Sequence, residues 1–150
     1  MYLLLLRLHG AWRWAVIVGC AAVLLAMLWS MLKGEPWARR GALLNKVYLR
    51  IVDVQVLLGA ALYLVVSPLT TIALETSGAS AAGSEVEFFG VRHGIAMAAA
   101  FFGMHIAGAV LKRKRWSDRT RFLIALVAYT AAWAVMFSMV PWWRPWLRAF

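Results

Sequence analysis

Cysteine occurs once in the 150 residues of this chain, at Cys20 inside an apolar run. Neither a disulfide framework nor a cysteine metal site can be built from it. Catalytic signatures are missing too: there is no Ser-His-Asp set, no P-loop and no glycine-rich nucleotide fingerprint, so no enzyme activity of the chain's own is expected. Negative charge is scarce, with six Asp and Glu against sixteen Lys and Arg, for a net charge of +10. In a soluble protein such an excess points to nucleic acid. Here the positive residues collect at the ends of apolar stretches, above all in the run Lys112–Arg115. That distribution sets membrane topology and attracts anionic lipid headgroups, and excludes nucleic acid as the partner.

Apolar residues fill the space left by these absences. They make up 64% of the chain, with a mean hydropathy of +0.76, far above the usual share of a soluble domain. About 20 consecutive apolar residues cross a bilayer. The pattern predicts an all-α integral membrane four-helix bundle, one domain over residues 1–150, with spans at about 10–32, 46–66, 89–111 and 121–140. Gly34 and Pro36 stop the first span. The second carries Arg50 and Asp53, three apart on one face and so able to neutralise each other. A Ser-, Ala-, Thr- and Gly-rich connection, Leu69 to Glu87, leads to the third span and leaves open whether it holds a short interfacial helix. A secretory signal fits poorly, because Arg7 and Arg13 interrupt the first apolar run. The lipoprotein-like box Ile17-Val18-Gly19-Cys20 is set aside, since the run before it is too short and the run after it completes a span.

Four spans put both termini on one side. The side of the two short linkers collects eleven Lys and Arg, from Lys33 to Lys46 with Arg50 and from Lys112 to Arg121; the terminal side has five, Arg7, Arg13, Arg92, Arg144 and Arg148. The positive-inside rule puts the linkers in the cytoplasm and both termini outside, which in a bacterial inner membrane is the periplasmic side. A weak internal repeat accompanies this order. His9-Gly10 and His93-Gly94 each open an apolar helix, followed by a basic linker and a second helix ending at Pro68 or Pro141. The halves run in the same direction, as an axis along the membrane normal would require.

Only three histidines are present, and ionisable groups in a span raise a functional question. His9 and His93 sit at matching depth near the outer ends of the first and third spans. Two imidazoles from facing helices suit the two axial positions of a b-type haem, in a bundle core that excludes water. Arg13, four residues after His9, and Arg92, beside His93, are placed to pair with haem propionates. Gly10, Gly90 and Gly94 would let a flat macrocycle approach the backbone. Tyr63, Met136 and Met139 fall at the same level. For any one histidine at an interface, the competing reading is a bond to a headgroup, a carbonyl or water.

His105 lies about 18 Å beyond His93, twelve residues at helical rise. Three uses for it stay open: a structural hydrogen bond to Asp53, a second haem with Met27, or a quinone-headgroup site with Asp53 and Gln55. Three histidines exclude a four-histidine, two-haem bundle.

The order LHGAWRW, QVLLGAALYLVVSP, FFGVRHG and PWWRPWLR resembles small four-span bacterial membrane proteins of the cytochrome-b-like type. The resemblance runs over nearly the whole chain on short motifs. It implies haem binding or association with a respiratory chain, with His9 and His93 as the matching histidines. The chain departs from the better-known di-haem cytochromes of four spans, leaving one haem as the expectation. The leading expectation is therefore an electron-transfer subunit with one haem b, held by His9 and His93 near the outer face. It would exchange electrons with a quinol or an external redox partner, among other membrane subunits of a redox complex. The competing expectation is a cofactor-free accessory subunit of a respiratory or photosynthetic complex.

Overall fold

A computed structural model of the chain describes residues 1–75, 85–113 and 115–143. Lys114, Arg144, Arg148 and the end of the PWWRPWLR motif lie outside the described residues, as does 76–84 of the long connection. All elements among the described residues are helical, and four helices are long and apolar enough to cross a membrane. These are α1 (Tyr2–Leu32), α2 (Gly41–Val66), α4 (Glu85–Leu111) and α5 (Asp118–Ser138); a short α3 (Pro68–Glu75) follows α2.

The first helix begins at Tyr2, earlier than the expected residue 10. Met1–Leu8 is Leu-rich with no proline, and a mid-helix Gly10 costs only about 1 kcal/mol, so nothing stops the helix from starting at the N-terminus. It ends where expected, at Gly34, whose φ of +67° suits a residue without a Cβ. The Ser30 hydroxyl donates to Glu35 (2.9 Å) across this turn. Trp37 then folds back under the bundle, edge-on to Phe122 at 5.0 Å between ring centres. Gly41 makes that return possible, because any Cβ there would enter the Trp37 ring. At the start of α5, the Ser117 hydroxyl accepts from the Thr120 N–H (3.1 Å) and Asp118 occupies the first turn, which suits the helix dipole.

Each long helix contributes a narrow inward seam. Val16, Cys20, Val23 and Met27 on α1 match Phe122, Ala125, Tyr129 and Ala132 on α5, both at alternating three- and four-residue steps. Tyr48 and Val52 of α2 and Ala100 and Met104 of α4 complete the core. This is the spacing of antiparallel helices packed with a slight left-handed supercoil. Between 11% and 33% of each span's most apolar window is buried in the bundle. The remainder is apolar and outward-facing, and a bilayer supplies the solvent it needs.

Polar side chains inside the bundle find partners across helices. Tyr129 donates to Asn45, Tyr48 to the Val16 carbonyl (3.1 Å), and Trp133 Nε1 to the Ile17 carbonyl (3.1 Å). In cyclic order the neighbours are α1, α2, α4 and α5, so α1 and α4 stand at opposite corners. Both α2 and α4 relax into a π-helical turn at the end of the bundle where Met1 lies, Leu62–Val66 and Phe88–Arg92. Tyr63 of the first turn donates to the Gly90 carbonyl of the second. Helix α3, which the sequence left open, packs on the Phe88–Arg92 turn with Ala73 against Gly90.

Candidate functional site

The terminal end of the bundle contains a cavity of about 550 Å³. All four long helices line it, and they do so with residues one turn apart: His9 and Arg13 of α1, Gln55, Gly59 and Tyr63 of α2, His93 and Met97 of α4. Met136 and Met139 close it from the end of α5. Such four-residue steps bring side chains onto one helix face.

His9 and His93 reach into this space from diagonally opposed helices. Their ring centres are 6.4 Å apart, with the ring planes at 71°. His93 is held from behind: its Nδ1–H donates to the Met139 carbonyl (3.1 Å), and Phe88 and Phe89 pack on the ring. With the proton on Nδ1, Nε2 keeps its lone pair, the form in which imidazole binds metals.

His9 is held by Gln55, whose amide lies 3.2 Å from His9 Nε2 and 3.3 Å from its carbonyl oxygen. An amide nitrogen turned to Nε2 leaves the proton on Nδ1. Since the amide nitrogen also donates to the His9 carbonyl, this is the orientation in place, and His9 could hold a metal through Nε2 only by giving up that Gln55 bond. Gly59 lets α2 come this close, since a Cβ on it would lie 3.1 Å from His9 Cε1.

Five buried side-chain polar atoms among the described residues have no hydrogen-bond partner, and three of them belong to this cavity: His9 Nδ1, Arg13 Nε and Gln55 Oε1. Unsatisfied buried polar atoms cost about 1–3 kcal/mol each. Their concentration on one void makes it the place in the bundle where a ligand, an ion or water would complete the bonding.

The sequence-predicted residues separate clearly. His9, His93 and Arg13 come together, and Tyr63, Gly10, Met136 and Met139 join them. Arg92 is exposed and does not line the cavity, whereas Arg7 does. Arg92 points away because the π-helical turn Phe88–Arg92 rotates the residues before His93. Gly10 faces open space, but Gly90 is filled by Ala73 and Gly94 by Tyr63, so only one of the three glycines leaves room for a macrocycle.

His105 belongs elsewhere. Its Nε2 lies 3.0 Å from Asp53 Oδ1 and its Nδ1 3.0 Å from the Phe101 carbonyl, while Arg50 holds the other Asp53 oxygen at 3.1 Å. Both nitrogens face oxygen partners rather than open space, and Met27 is wholly buried in the core. Gln55 is turned to His9, about 200° around α2 from Asp53, and does not join that pair. The geometry favours the structural pairing of His105. A His105→Ala variant should accordingly leave any cofactor bound in the outer cavity in place, as checked by its absorption spectrum.

Sequence reading missed Gln55 and Gly59 as partners of His9. The signal was present as the stripe Gln55, Gly59 and Tyr63, four residues apart on α2. Among the described residues no group of three His, Cys, Asp or Glu side chains comes together. Comparison with protein-family models, curated proteins and solved structures finds no match to this chain.

Proposed function

We propose that this protein is a membrane-embedded electron carrier that holds one b-type haem between His9 and His93. The observation carrying the reading is the 6.4 Å separation of the two ring centres across one cavity. Metal–nitrogen bonds of about 2 Å, plus roughly 1 Å from each nitrogen to its ring centre, put two imidazoles on one iron about 6 Å apart. The observed separation is compatible with both rings holding one metal-bearing group. A cavity of about 550 Å³ is of cofactor size, within the roughly 300–1,000 Å³ of ligand sites.

The bound group would supply one-electron transfer. The chain's own residues do the rest. Met139 fixes the His93 ring in orientation, Gln55 ties the His9 backbone through its carbonyl, and Phe88 and Phe89 keep the His93 ring from swinging out. Arg13, with its buried Nε unpartnered, is placed to pair with a propionate, and Arg7 lines the same mouth. Met97 and Met136 line an apolar wall that excludes water. Electrons would pass through a quinol or a neighbouring membrane subunit docking at this end.

The test is a reduced-minus-oxidised absorption spectrum of protein purified from cells with ample haem. Sharp α and Soret bands at about one haem per chain are expected. A flat spectrum would overturn the reading in favour of the cofactor-free accessory subunit.

The haem end is further proposed to face the periplasm of a bacterial inner membrane, on the excess of positive charge at the linker end. With an impermeant thiol reagent, Glu75→Cys should label in cells whose outer membrane alone is opened, and Arg39→Cys only after lysis. The reverse pattern would invert the orientation and leave the haem reading standing.

A further inference from the structure

A second concavity lies on the outer side of α1 and α2 and shares no lining residue with the histidine cavity. It is a groove of about 460 Å³. Its floor is one face of α2, where Leu43, Val47, Ile51 and Val54 recur at three- and four-residue steps. Its wall is Trp12 of α1, locked in place by a hydrogen bond from Nε1 to the Ile51 carbonyl (2.9 Å). Lys46 and Arg50, one turn apart, lie on the same face toward the linker end.

From these features we infer that the groove binds one anionic phospholipid of the leaflet at the linker end, its phosphate at Lys46 and one acyl chain along α2 to Trp12. The dimensions match. Lys46 to Val54 spans about 12 Å of helix rise, within the roughly 15 Å depth of one leaflet's hydrocarbon. The charge matches as well. Arg50 is partly neutralised by Asp53 at 3.1 Å, whereas Lys46 has no ion-pair partner among the described residues. The uncompensated positive charge of the groove is thus that of Lys46, whose long stem lets the ammonium reach the headgroup level.

The face does not suit a partner helix. Close helix packing in membranes uses small residues, and this stripe is Leu, Val, Ile and Val. Leu43, Val47 and Val54 are all exposed. Branched side chains around a shallow trough fit a flexible acyl chain better.

The inference is independent of the haem reading, and its test reads no haem. Native mass spectrometry of the full-length protein in detergent would follow retention of added phosphatidylglycerol and phosphatidylcholine. The wild type should retain one phosphatidylglycerol in preference to phosphatidylcholine. Lys46→Gln should lower that preference about fivefold, the size of one lysine–headgroup interaction. Lys112→Gln, outside the groove, should leave the preference unchanged. Val47→Trp, which fills the trough, should lose the retained lipid altogether. Equal retention of the two lipids by the wild type would overturn the proposal. Equal losses in Lys46→Gln and Lys112→Gln would overturn it too, since they would show diffuse charge attraction rather than a site.

Discussion

Replacing His93 with alanine is expected to reduce bound haem from about one per chain to none, with loss of both the α and the Soret band. On the proposed reading, only His9 would be left to hold the group. A fold-level explanation can be separated by magnitude. The only hydrogen bond His93 makes among the described residues is to the Met139 carbonyl, and side-chain hydrogen bonds between membrane helices average about 0.6 kcal/mol. The variant should therefore unfold at nearly the denaturant concentration of wild-type protein made without haem, while failing to bind haem when it is supplied. Exogenous imidazole, small enough to enter the space left by the deleted ring, should restore the bands. Restoration marks His93 as a ligand, because a purely structural histidine would not be replaced by a free imidazole. Unchanged bands in His93→Ala would remove it from the iron.

The largest effect on stability is expected at the opposite end of the bundle, from Phe122→Ala. Phe122 is 1% exposed and closes on Trp37, the residue that ties the first linker under the bundle. Phe→Ala changes in soluble cores cost about 3–5 kcal/mol. In a bilayer the transfer part of that cost shrinks, because lipid solvates exposed apolar groups as well as a core does. The packing part remains, and a loss of about 2–3 kcal/mol is expected. Unfolding in mixed micelles, followed by tryptophan fluorescence, would measure it. A loss below about 1 kcal/mol would mean that the Trp37–Phe122 contact is not a structural anchor. The folded fraction should still bind haem, since His9 and His93 lie at the other end, and this separates the two variants cleanly.

The two ends differ in how far the amino-acid sequence reveals them. Membrane spans are legible because length and apolarity alone specify them: four helices were expected and four helices of sufficient length and apolarity are found. Gly34 and the Arg50–Asp53 pair were equally readable, since positive φ and three-residue spacing are local properties. Which face of a helix points inward was not. A span that is apolar on every side carries no amphipathic signal, so depth can be counted but rotation cannot. That is why the levels of His9, His93 and Tyr63 could be counted, yet Gln55 was grouped with Asp53, two residues away on nearly the opposite face. Arg92 lies off the cavity for a related reason. Its orientation assumed a regular α-helix through Phe88–Arg92, where a π-helical turn shifts the phase. The early start of α1 at Tyr2 was missed because Gly10 and the charges of Arg7 and Arg13 were read as a boundary, although each is tolerated inside a long helix.

The central claim is that two imidazoles from opposite corners of one bundle share a single iron. Electron paramagnetic resonance of the oxidised, purified protein tests it most directly, because two strong nitrogen ligands force ferric haem into the low-spin state. A low-spin ferric signal at about one spin per chain is expected, lost in both His9→Ala and His93→Ala and kept in His105→Ala. A high-spin ferric signal from the wild-type protein, or no haem signal at all, would contradict it.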